Sequence, residues 1–166
     1  MVTMQDNILA KEHIWDLLGD VVDPEIPVVS LVEMGIIRQV IVEEGHVVVI
    51  MTPTFSGCPA LDVMEDDIKH RLAEAGVPSV EVVQQFDPPW TSNWISASAR
   101  EKLKGIGLAP PHFHKGDFIE ILIDPVICPY CDSTQTTLKN SFGPTPCRMI
   151  YYCNACQQPF EQFKPL

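Results

Sequence analysis

The sequence predicts an α+β protein: a small α-β-β-α-β domain with helices packed on one face of a mixed sheet, followed by a metal-dependent ribbon. Three observations carry that expectation. Helical and strand periods alternate over residues 8–86. Two Cys-x-x-Cys knuckles, Cys128/Cys131 and Cys153/Cys156, stand 21 residues apart. The charge is divided: residues 1–127 hold 8 Lys or Arg against 20 Asp or Glu, while residues 128–166 hold 3 against 2. The expected boundaries are 1–107 for the α/β domain, 108–126 for a proline-rich linker and 127–166 for the ribbon.

Asp6 or Asn7 can cap a first helix whose apolar surface comes from Ile8, Leu9, Trp15, Leu18 and Val22. Asp23-Pro24-Glu25-Ile26-Pro27 forbids its continuation and makes a stiff loop offering two carboxylates, which as a plain turn would simply be solvated. Ile36–Val42 and His46–Met51 read as strands joined by a hairpin turn at Glu44-Gly45. Leu61, Met64, Ile68 and Leu72 mark one face of a second helix that stops at Gly76. A third strand runs from Val80 to Phe86.

Between the second strand and second helix lies Thr52-Pro53-Thr54-Phe55-Ser56-Gly57-Cys58-Pro59-Ala60. Pro59 suits the first helical position, which puts Cys58 at the N-cap. There the free N–H groups and the helix dipole favour thiolate, making the sulfur nucleophilic and metal-avid; the alternative is a buried small apolar residue. Trp90 and Trp94, just past the third strand, either pack over the domain edge or form a partner surface. Ser96 caps a short helix, Ala97 to Lys104. His112 and His114 share one side of an extended chain, as metal ligands or as exposed bystanders.

The two knuckles complete a tetrahedral four-sulfur shell of the kind that defines zinc ribbons, with strands expected at Thr134–Leu138 and Arg148–Tyr152. Four thiolates with no open position make a structural site, and zinc is the expected metal, with iron or an iron–sulfur cluster as alternatives. Cys147, roughly 20 Å of extended chain from Cys153, is too far away to join that shell. It is either a buried apolar thiol or available for another role.

At 46% hydrophobic and 20% charged the chain can bury a core, and its net charge of −11 argues against nucleic acid or an anionic membrane as partner. No apolar run approaches a membrane span, and the N-terminus lacks a signal-peptide pattern. Six cysteines without such a signal point to reduced thiols in the cytoplasm.

Asp23-Pro24-Glu25-Ile26-Pro27, Glu33-Met34-Gly35 and Thr52 to Pro59 resemble the iron–sulfur-assembly family once called a domain of unknown function. Asp87-Pro88-Pro89-Trp90-Thr91, the two knuckles, Phe142 to Cys147 and Pro159 to Lys164 are similar to the D-subunit family of phenylacetyl-CoA epoxidase systems. Gln158, Pro144 and Pro146 depart mildly from that pattern without touching a proposed ligand.

The resemblance implies a non-catalytic accessory protein of phenylacetate catabolism that assists assembly of the system's iron–sulfur or di-iron centres. Its partners would be the iron–sulfur/flavin reductase or the di-iron oxygenase. It also implies functional roles for Asp23, Glu25, Thr52, Thr54 and Cys58, with Cys58 holding iron or a cluster transiently. A Cys58-dependent thiol enzyme and a pure interaction adaptor are the competing expectations. The first of these needs a base that neighbouring sequence does not supply, since His70 lies three helical turns on.

Overall fold

The computed structural model describes residues 10–114 and 125–166, divided into two compact units, Met1–Trp90 and Thr91–Leu166. In the first unit α1 spans Lys11–Leu18 and buries Ile14, Leu17 and Leu18; its N-cap, Ala10, gives no side-chain cap. The expected caps Asp6 and Asn7, with Ile8 and Leu9, lie outside the described residues. Val22 does not belong to the apolar face: it is 41% exposed, while Val21 is buried. The helix has ended by then, and Val22 pairs with Ser30 in an isolated bridge, so the chain alternates sides with period two.

β1 (Ile37–Glu43) and β2 (His46–Met51) form an antiparallel hairpin. Glu44 and Gly45 take φ of 48° and 85°, the paired positive angles of a type I′ turn. β2 leads through α2 (Leu61–Glu74) into β3 (Ser79–Gln84), which runs parallel to it in the order β1-β2-β3. A parallel neighbour requires such a crossover, and here the crossover is α2. Val40, Val47, Val49 and Met51 are fully buried on the sheet, as are Ile68 and Leu72 on α2. Phe86 falls past the strand end and is 48% exposed. Trp90 is buried, donating its indole N–H to the Met34 carbonyl at 3.0 Å.

The second unit begins with a 3₁₀ turn, Ser92–Trp94, and α3 (Ala97–Gly105). The Ser96 hydroxyl caps α3 by accepting from Ala99 N at 3.1 Å. β4 (Leu108–Ala109), β5 (Thr136–Asn140), β6 (Arg148–Cys153) and β7 (Pro159–Phe163) build one sheet in the order β4-β7-β6-β5. The boundary therefore falls at Trp90/Thr91, not at residue 107. Leu108-Ala109, expected in the linker, is a strand because β7 supplies its parallel partner at Glu161 and Gln162. β5 starts two residues later than Thr134, where Thr136 N turns back to the Thr134 carbonyl. No helix among the described residues is long and apolar enough to cross a membrane.

Candidate metal centre and the loops at the sheet end

The two knuckles share one backbone design. Asp132 N donates to Cys128 O at 3.0 Å and Gln157 N to Cys153 O at 2.9 Å, closing equivalent turns. Asp132 (φ 58°) and Gln157 (φ 60°) then take left-handed angles that turn the chain back. Cys128 N and Cys153 N donate to the carbonyls of Ser133 and Gln158, five residues on in each case. These turns bring the Sγ atoms of Cys128, Cys131, Cys153 and Cys156 within 4.8 Å of one another. The closest cross-knuckle pairs are Cys131–Cys153 at 3.6 Å and Cys128–Cys156 at 3.7 Å. A tetrahedral ion with metal–sulfur bonds of about 2.3 Å needs sulfur–sulfur edges of about 3.8 Å, so the donor set fits zinc in number, softness and spacing.

Three of the thiols differ before any cation is considered. The Cys153 thiol is lowered to about 6, first by the Cys156 N–H that points at its sulfur and further by the Ala155 N–H, against the opposing effect of burial. Burial, with hydrogen bonds to Cys131 and Cys153, pushes Cys156 up to about 12, and burial also raises Cys128. Protons held by the raised thiols must leave when a metal enters.

Cys147 stands apart from that shell: it is buried and lies 3.1 Å from Thr145 Oγ1. The two histidines both take part in hydrogen bonds within the second unit. His112 Nε2 meets Pro125 O at 3.0 Å, and His114 Nε2 meets Leu166 O at 3.1 Å and Ser92 Oγ at 3.2 Å. Each fastens separate stretches of the second unit. Nothing in the sequence marked Ser92 or Arg100, yet both organise this unit. Ser92 is fully buried and donates N–H to Leu166 O at 2.9 Å; Arg100 reaches the carbonyls of Ser92, Ile95 and Pro111. Their roles depend on distant carbonyls, which sequence spacing does not reveal.

In the first unit backbone bonds link the Asp23 loop to Thr52, just past the end of β2. Leu31 N donates to Val21 O, Ile36 N to Leu31 O and Thr52 N to Ile36 O, which stitches the Asp23 loop to the end of β2. Asp23 is not offered outward as expected. It is 6% exposed, and its Oδ1 accepts Glu25 N at 2.8 Å and Ile26 N at 2.9 Å, because Pro24 bends the chain back over the carboxylate. Glu25 and Thr54 are half-buried, and Thr52 is buried.

Cys58, half-buried, is not the N-cap of α2. Its carbonyl accepts from Leu61 N at 3.3 Å in a tight turn, and the first helical bond runs from Met64 N to Ala60 O, making Ala60 the cap. The sulfur therefore sits two residues before the cap, beside a loop where Phe55 is 49% exposed. Among the described residues, the four ribbon cysteines alone form a group of three or more His, Cys, Asp or Glu ligand atoms this close together.

Together these features define a class: a three-stranded α/β sheet domain joined to a four-cysteine β-ribbon. Residues 11–84 match the profile described as "Iron-sulfur cluster assembly protein", and residues 122–164 match "PaaD zinc beta ribbon domain". A relative from Escherichia coli (strain K12), named provisionally as the D-subunit of 1,2-phenylacetyl-CoA epoxidase, is 40% identical over 92% of this chain and 91% of its own. An "Fe-S protein maturation auxiliary factor" of Porphyromonas gingivalis is 36% identical over 56% of this chain and 90% of its own. The crystal structure of a domain of unknown function from Bacillus anthracis superposes with a TM-score of 0.52 at 31% identity, covering 56% of this chain and 90% of that one. The chain belongs to the D-subunit family of phenylacetyl-CoA epoxidase systems.

Proposed function

We propose that this chain is a non-catalytic accessory protein that assists maturation of the metal centres of a phenylacetyl-CoA epoxidase system. The centre served is the iron–sulfur cluster of the reductase or the di-iron site of the oxygenase. The observation that carries the reading is the 40% identity to the D-subunit relative, which runs through both the sheet domain and the ribbon. The likeness of the sheet domain alone to named Fe–S maturation factors supports the same role.

In this reading zinc fills the ribbon and is structural, since four thiolates leave no position for substrate. Cys58 is the transient ligand for iron or a cluster, both of which are cargo. Asp23 shapes its own loop through its two backbone bonds, and Thr52, Thr54 and Glu25 are the supporting positions in this reading.

The test compares wild type with Cys58→Ser, both purified without air and challenged with iron and sulfide. Serine keeps the small polar volume but is a far weaker soft-metal ligand. Wild type should develop sulfur-to-iron charge-transfer absorption that the variant lacks, while ribbon zinc stays the same in both. A host carrying the variant should make epoxidase components poor in metal. Normal growth on phenylacetate with Cys58→Ser would end the ligand assignment.

A further inference from the structure

Phe142, on the turn between β5 and β6, is 73% exposed, the most open of the large hydrophobic side chains described. An exposed ring on a mobile loop would mean little, but this loop is pinned. Phe142 N donates to Asn140 Oδ1 at 3.0 Å, Gly143 N to Arg148 O at 2.9 Å and Arg148 N to Thr145 O at 3.1 Å. A Cβ at Gly143 would lie 2.9 Å from the Arg148 carbonyl oxygen, so glycine is needed for the turn to close this tightly. Pro144 and Pro146 stiffen the rest. The ring is held out before any partner arrives, which removes much of the ordering cost of binding.

The surroundings are apolar and basic. Lys164 Nζ stands 5.2 Å from the Phe142 ring centroid, and Lys139 Nζ stands 5.3 Å from that of Tyr152. Leu138, on β5, is 47% exposed, and β5 is an edge of its sheet. Residues 133–160 contain no Asp or Glu in a chain of net charge −11, and Glu161 is held by Arg148 at 2.9 Å. A lysine over a displayed aromatic ring, in a stretch without carboxylates, complements carboxylates around an apolar pocket.

We propose that the Phe142 turn and the β5 edge are the surface by which this chain docks on its client, with Phe142 inserted into an apolar pocket rimmed by carboxylates on one epoxidase component. This rests on the accessory role proposed above and gives it an address distinct from Cys58. Lys139 and Lys164 steer the encounter and set its salt dependence, and Phe142 supplies the anchor.

The experiment titrates the full-length chain, with its ribbon metal in place, against purified oxygenase and reductase components from the same organism by calorimetry. Phe142→Ser should raise Kd for one component by at least 30-fold, with melting temperature and ribbon metal unchanged because the ring is exposed. The double variant Lys139→Glu/Lys164→Glu should weaken binding about 10-fold and flatten its salt dependence. Wild type and Phe142→Ser binding a component equally would overturn the docking surface and leave the accessory role standing. Binding to neither component would overturn both. Sedimentation showing self-association that Phe142→Ser abolishes would make the occupant a second copy, again overturning the proposal.

Discussion

In the first unit the buried interior is aliphatic: Val40, Val47, Val49, Met51, Ile68 and Leu72 are all at 0% exposure. In the second, the cluster beside the metal centre is Ala109, Val126, Cys128, Cys153 and Phe160, and two of those five are the thiols of the proposed ligand shell. β5 is exposed at every position after Thr136. The first unit is held by apolar area alone, while the ribbon strands of the second add the proposed ligand bonds to a smaller apolar cluster. Damage to one should therefore leave the other intact, which is the point to attack experimentally.

The largest effect is expected from metal removal. Structural zinc contributes on the order of 10–16 kcal/mol in small zinc-finger peptides, so strong chelation or Cys131→Ser should unfold the ribbon strands β5–β7 and release β4 with them. The first unit should keep its amide protection. Hydrogen exchange resolves the two, and simultaneous loss in both would break the comparison. The reciprocal lesion is Leu72→Ala, which should cost about 2–5 kcal/mol in the first unit through the cavity it leaves. Ribbon metal content, read by chelator competition, should not change.

A smaller effect concerns protons. Cys128 and Cys156 are raised, the latter to about 12, so at pH 7 both hold protons that an incoming cation must displace. Affinity should consequently rise with pH, by about tenfold per unit for each proton released. A zinc competition series between pH 6 and 8 measures the slope, and a flat profile would mean that the thiols are already ionised. The smallest change is expected from Asp23→Ala. Removing a buried carboxylate that satisfies two backbone N–H groups should cost about 1–3 kcal/mol in the first unit alone. A melting temperature equal to wild type would return Asp23 to a purely functional role.

The features legible in the sequence were those set by local chemistry. Glu44-Gly45 announces a turn of paired positive φ, Ser96 offers its hydroxyl three residues ahead of the N–H it caps, and each Cys-x-x-Cys spells out its own knuckle. What escaped depends on partners far along the chain. Leu108-Ala109 is a strand only because β7 lies beside it, and β7, beginning at a proline, carries little strand signature of its own. The start of α2 is two residues off because a single turn from Cys58 to Leu61 intervenes before the helix proper, a shift that side-chain periodicity does not register. Asp23 looked solvated because acidic residues usually are; only the folded loop shows that Glu25 and Ile26 bring their N–H groups to it.

The bonds from Ser92 to Leu166 and from β4 to β7 also fix an order of events during synthesis. A ribosome delivers the chain from its N-terminus, so the three-stranded sheet can close as soon as residue 90 has cleared the exit tunnel. Thr91–Ala109 must wait for partners made later. At roughly 5–20 residues per second the intervening stretch takes several seconds to appear, during which Leu103 and Leu108 have nowhere to hide. The nascent chain is then most exposed to chaperones and proteases.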